Sequence, residues 1–175
     1  MAEVPQERPL RAYSTFEVTS RQVRQEIWFS YDDPGENYHT REEVGLLPEL
    51  LAEIQDNMQY FIDQDLLYIN GGQVNLDVKK CDLHYHRGRN TRPVLHFSVR
   101  SVTRYTLSAT TPNVLELVAE EEVLDYPVEA RWRFPSKVLG VETAMRSKVS
   151  GCLVMLKAFQ GELVGGEEWF EFDKL

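Results

Sequence analysis

Three of the chain's four histidines, His84, His86 and His96, fall in one stretch, KKCDLHYHRGRNTRPVLHFSVR, from Lys79 to Arg100. Residues two apart on a strand point the same way, so the HxH pair would present two imidazoles on one face. A third imidazole from a neighbouring strand would complete a three-histidine set of the kind that binds Zn and leaves a fourth position for water. With RGRNTR as the turn, a register that sets His86 beside Val94 places His84 opposite His96 and Asp82 opposite Ser98. Directly opposed Cβ atoms then stand about 5 Å apart. On the same register Leu83 and Tyr85 share the core face with Leu95 and Phe97. Cys81 has that parity too, which removes it from a Cys–His nucleophile pair with His84. No glutamate follows the HxH pair closely enough to complete a familiar metal signature, because the next residues are Arg87, Gly88, Arg89, Asn90 and Thr91.

The same stretch, extended to Arg104, collects positive charge. Lys79, Lys80, Arg87, Arg89, Arg92, Arg100 and Arg104 stand against one acid, Asp82, while acids outnumber bases over the rest of the chain. Arginines beside Tyr85 can grip phosphates while the ring stacks on a base, the pairing used by proteins that hold single-stranded nucleic acid. The expected partner is therefore RNA, single-stranded DNA or a ribonucleoprotein. A net charge of -9 opposes indiscriminate binding of polyanions. A local patch nonetheless acts within a Debye length of about 8 Å.

Other readings of the same residues compete. Glu116, Glu120, Glu121, Glu122, Asp125 and Glu129 would neutralise the patch if their segment paired beside the hairpin. An acidic protein partner would also suit it. A protein–protein adaptor or a homodimer would instead bury apolar surface left over on the helices. The chain has no P-loop, GxGxxG, GxSxG or HExxH sequence. The reading that results is a small non-enzymatic binding protein, with a metal-dependent enzyme at the three histidines as the alternative.

The elements expected to position these residues follow from periodicity. Residues 1–9 read as a loose arm before a single α+β domain over 10–175. Leu47, Leu50, Leu51, Ile54, Met58, Phe61 and Ile62 form one apolar stripe, an amphipathic helix over about 47–66. A capping box at Thr40 and Glu43 precedes it. Val138, Val141, Met145, Val149, Cys152, Leu156 and Phe159 also recur at threes and fours, which predicts a second long helix over about 137–159 despite Gly140 and Gly151. A short helix is expected within TSRQVRQEIWFSY. Period-two alternation marks strands in the Lys79–Arg100 stretch and in VEARWRFP, and strand is preferred over helix for 113–126. The sum is an antiparallel meander of four to six strands with one face under two helices. No run of about 18 apolar residues spans a membrane. The opening residues lack a secretory h-region, and two lone cysteines suit a reducing compartment, so a cytoplasmic location is expected.

Overall fold

Alternation governs far more of this chain than helical periodicity does. The computed structural model describes residues 6–175, so residues 1–5 of the expected arm lie outside the described residues. The chain opens with β1 (Arg8–Val18) and β2 (Val23–Asp32), then two helices, α1 (Asn37–Glu43) and α2 (Leu47–Gln64). Next come β3 (Leu66–Ile69), β4 (Gly72–Val74), β5 (Leu76–Tyr85), β6 (Pro93–Ser101) and β7 (Asn113–Val123). The last five are β8 (Val128–Arg133), β9 (Val138–Glu142), β10 (Arg146–Ser150), β11 (Leu153–Ala158) and β12 (Leu163–Phe172). They form a seven-stranded sheet in the order β10-β11-β8-β1-β2-β6-β5 and a five-stranded sheet in the order β4-β3-β7-β12-β9.

The inner face of the larger sheet is covered in two halves. Near β5 and β6, Val78, Cys81, Leu95, Phe97 and Val99 pack against Leu50, Leu51, Ile54, Met58 and Ile62 of α2. Towards β8 and β11, Val23, Trp132, Val154 and Leu156 meet Leu67, Leu115, Phe170 and Phe172 of the smaller sheet. Full burial of each such side chain contributes about 1.5–3 kcal/mol, so both halves are strongly specified. The chain crosses between sheets at Asn75, the one residue separating β4 from β5. There the Asn75 N–H donates to Thr103 Oγ1 at 3.0 Å and its carbonyl accepts from the Val102 N–H at 2.9 Å.

The expected α+β sheet under two long helices is overturned: the protein is mostly β, built on two sheets. The helix predicted for 137–159 is instead β9, β10 and β11. Its threes and fours are a coincidence of hairpin spacing, since Val154, Leu156 and Ala158 alternate inward on β11 while Leu153, Met155 and Lys157 face out. Gly151, with φ of 59°, makes the β10–β11 turn where the helix would have had to continue. TSRQVRQEIWFSY is not helical either: Val23, Gln25 and Ile27 are buried at period two along β2. Thr40 and Glu43 do not cap, because both lie inside α1. The meander also fails, since β1 and β8 are parallel neighbours distant in sequence.

β12 follows the curl of β7 through a bulge between Val164 and Gly166. Gly165 sits there at φ of 91°, and a Cβ on it would collide with the backbone carbonyl of Glu120. Gly165→Ala is therefore expected to lower stability by about 3 kcal/mol or more. Gly161→Ala, at φ of 85° but with open space around it, should cost only about 1 kcal/mol. Urea midpoints of the two variants check the difference.

Candidate functional site on the outer sheet face

The β5–β6 pairing keeps the expected parity but sits two residues from the expected register. Asp82 opposes His96, His84 opposes Val94, and Tyr85 opposes Pro93. The turn sets the offset, and a bulge farther along the ladder shifts the pairing by one more residue. The bulge lies between Val78 and Lys80, and the connection begins one residue early as a 3-10 turn over His86–Gly88 with Arg87 left-handed at φ of 52°. His86 thus leaves the sheet, and the three-histidine set does not assemble on the strands. The outward group is Asp82, His84 and His96, whose potential ligand atoms all lie within 4.8 Å of one another.

His96 is held from two sides. Its Nε2 is 2.8 Å from Glu26 Oε2, and its ring stacks on Trp28 with centroids 4.9 Å apart and planes 8° apart. Glu26 also accepts from Ser98 Oγ at 2.7 Å and from Arg100 Nη2 at 2.8 Å. Partial burial works against ionisation of Glu26, but the hydrogen bonds from Ser98, Arg100 and His96 outweigh it and hold the carboxyl below its usual range. A carboxylate only accepts, so Nε2 of His96 carries a proton. In the neutral ring this leaves the Nδ1 lone pair facing Asp82 Oδ2, 3.9 Å away.

The bases expected to bind nucleic acid divide into two groups. Lys79 pairs with Asp77 at 3.2 Å, Lys80 with Asp82 at 3.1 Å, Arg92 with Asp32 at 3.6 Å and Arg100 with Glu26. Arg87 and Arg89 at the hairpin tip and Arg104 in the following loop are exposed, with no ion-pair partner among the described residues. Tyr85 is half-buried and already engaged. Its hydroxyl donates to Glu42 Oε2 at 3.0 Å and its ring meets His39 edge-on. The acids of 113–123 do not neutralise the hairpin, because β7 belongs to the other sheet.

The sequence reading missed the rest of this face. The solvent side of the larger sheet carries ten bases: Arg8, Arg11, Arg24, Lys80, Arg100, Arg131, Arg133, Arg146, Lys148 and Lys157. Six acids share it, namely Glu17, Glu26, Asp32, Asp77, Asp82 and Glu129. Arg11, Arg131, Arg133 and Lys148 have no ion-pair partner among the described residues. The outward parity of Arg131 and Arg133 was visible in VEARWRFP. What the sequence did not show is that β8 adjoins β1, which brings these arginines onto the same surface as Tyr13, Trp28 and His96.

No protein-family model matches the chain, and no curated protein matches it. Among solved structures, the NMR structure of the folded domain of Mycobacterium tuberculosis LppM is 13% identical, covering 94% of this chain and 90% of that one at a TM-score of 0.44. Native yeast LTA4 hydrolase is 7% identical at a TM-score of 0.37; the match covers 95% of this chain and 29% of the hydrolase. At such scores neither likeness supports an argument about fold or function. What the chain itself defines is a two-sheet β protein with one predominantly basic sheet face.

Away from that face, a cleft of about 340 Å³ opens where the end of α2 meets both sheets, lined by Phe16, Leu67, Leu117 and Trp132 with Asp65 among its polar groups. Burial, followed by the nearby Glu122 and Glu168 carboxylates, pushes the Asp65 carboxyl up to about 6. A carboxyl raised in the folded state binds its proton more tightly there than in the unfolded chain. Its contribution therefore favours the fold at low pH and is lost as pH climbs through about 6. Part of Asp65 still reaches water, which screens the repulsion. Asp65→Asn should raise the thermal midpoint by about 1–3 °C at pH 8 and by a smaller amount at pH 5, where the folded carboxyl is mostly protonated, measured by thermal melts at both values.

Proposed function

We propose that this is a non-enzymatic, cytoplasmic binding protein that takes single-stranded RNA or DNA across the outer face of its larger sheet and the tip of the β5–β6 hairpin. The observation that carries the reading is charge segregation. Ten of the chain's 19 bases share one sheet face, in a molecule of net charge -9. A field of one sign on one side orients an approaching polyanion, although the molecule as a whole repels it.

Five of the unpaired bases form two footholds. Arg131, Arg133 and Lys148 form one, on β8 and β10, while Arg87 and Arg89 form the other, at the hairpin tip. Guanidinium groups match phosphate oxygens in bidentate geometry. The aromatic row contributes less to contact. Trp28 is flanked by Tyr13 at 5.5 Å and by the stacked His96 at 4.9 Å, so its ring faces are taken. Binding should accordingly rest on phosphates, with little sequence preference and a steep dependence on salt.

The test is fluorescence anisotropy of labelled single-stranded RNA and DNA oligonucleotides. With about four phosphate contacts, raising salt from about 50 to 200 mM should weaken binding about 50-fold. Reversing charge in Arg131→Glu with Arg133→Glu, or in Arg87→Glu with Arg89→Glu, should weaken it about tenfold or more at low salt. No binding at low salt, or binding indifferent to both pairs of changes, overturns the proposal. Capture of an acidic protein in place of the oligonucleotides would move the reading to a protein partner.

A further inference from the structure

We infer that Asp82, His84 and His96 form a Zn2+ site on the outer sheet face, with Glu26 positioning the His96 ring. The inference goes beyond polyanion binding and does not depend on it. The donor set is one carboxylate and two imidazoles, a combination that zinc accepts with a fourth position left for water or an anionic ligand. Strand parity and register deliver it: Asp82 and His84 point the same way along β5, and His96 stands directly across from Asp82.

Two features distinguish this group from polar residues that merely share a surface. The first is tautomer control. Metal-ligating histidines characteristically donate their other ring N–H to a carboxylate, which fixes the ring and raises its basicity. Glu26 receives that bond from His96 Nε2 at 2.8 Å, which leaves Nδ1 as the ligating nitrogen, 3.9 Å from Asp82 Oδ2. The second is spacing. Tetrahedral zinc with bonds of about 2.1 Å holds neighbouring ligand atoms about 3.4 Å apart, so atoms within 4.8 Å need to close by at most about 1.4 Å. His84 is exposed and free to make that movement, whereas His96 is braced against Trp28.

One group competes for the carboxylate. Lys80 Nζ lies 3.1 Å from Asp82 Oδ2, but its side chain is 66% exposed and can turn into water when a dication arrives. His86 takes no part, since it lies in the turn after β5. Zinc binding and polyanion binding can therefore succeed or fail separately.

The experiment is calorimetric titration of the tag-free, full-length protein with ZnCl2 at neutral pH, with Co2+ absorption as a geometric readout. The expected result is one Zn2+ per chain at micromolar affinity or tighter, and a tetrahedral Co2+ spectrum that Zn2+ abolishes. His84→Ala and His96→Ala should each weaken binding at least tenfold, while His86→Ala leaves it unchanged. Glu26→Gln should weaken it about tenfold while the circular dichroism of the metal-free protein stays the same. Absence of stoichiometric binding, or binding untouched by His84→Ala, overturns the inference. His84 is exposed, so that variant remains informative even if His96→Ala does not fold.

Discussion

The parallel stack of Phe16 on Trp132, with centroids 3.8 Å apart and planes 2° apart, lies at the junction on which the rest of the molecule depends. Trp132 also meets Phe170 at 4.8 Å and Phe134 at 5.9 Å, so one indole ties β1 and β8 of the larger sheet to β12 of the smaller. It is 1% exposed. Side chains alternate along a strand, so driving Trp132 inward drives Arg131 and Arg133 outward, and a slip of one residue would exchange them. The basic face is in this sense the reverse side of the core.

The same division polarises the whole molecule. Glu116, Glu120, Glu121 and Glu122 lie on β7 of the smaller sheet, and Glu49, Glu53, Asp56 and Asp63 on α2. These lie on elements apart from the strands that carry the basic face. Within that face the acids are placed rather than scattered. Glu26 alone accepts from His96, Ser98 and Arg100, which orders three outward side chains around one carboxylate. A surface organised in this way can hold rigid geometry without a hydrophobic cover, because one half-buried carboxylate satisfies three donors at once.

Much of the local structure was legible because it depends on residues near one another. The apolar stripe of α2 and the two faces of the β5–β6 hairpin could be read from spacing alone, including the inward Cys81. The hairpin's register could not, because it is set by a turn that begins at His86 with Arg87 left-handed, which leaves no side-chain pattern. The second helix was misread because inward strand positions interrupted by Gly140 and the Gly151 turn reproduced helical intervals. The two-sheet architecture lay beyond local reasoning. Its decisive contacts join Ala12 to Val128 and Phe16 to Trp132, and periodicity carries no information about such distant pairs. The candidate metal group was visible in part: His84 and His96 were identified, while Asp82 and Glu26 depended on that register and on β2 lying beside β6.

The central place of β1 in the larger sheet has a consequence for how the chain is made. β1 is synthesised before both of its neighbours, and one of them, β8, follows more than a hundred residues later. At ordinary translation rates that interval is on the order of ten seconds. During it the β1–β2 hairpin exposes an unpaired edge bearing Ala12, Phe16 and Val18, the kind of edge that invites pairing with another chain. The arginines of β8 therefore arrive on the strand that closes this edge, and the surface assigned to binding is completed only when that edge is covered.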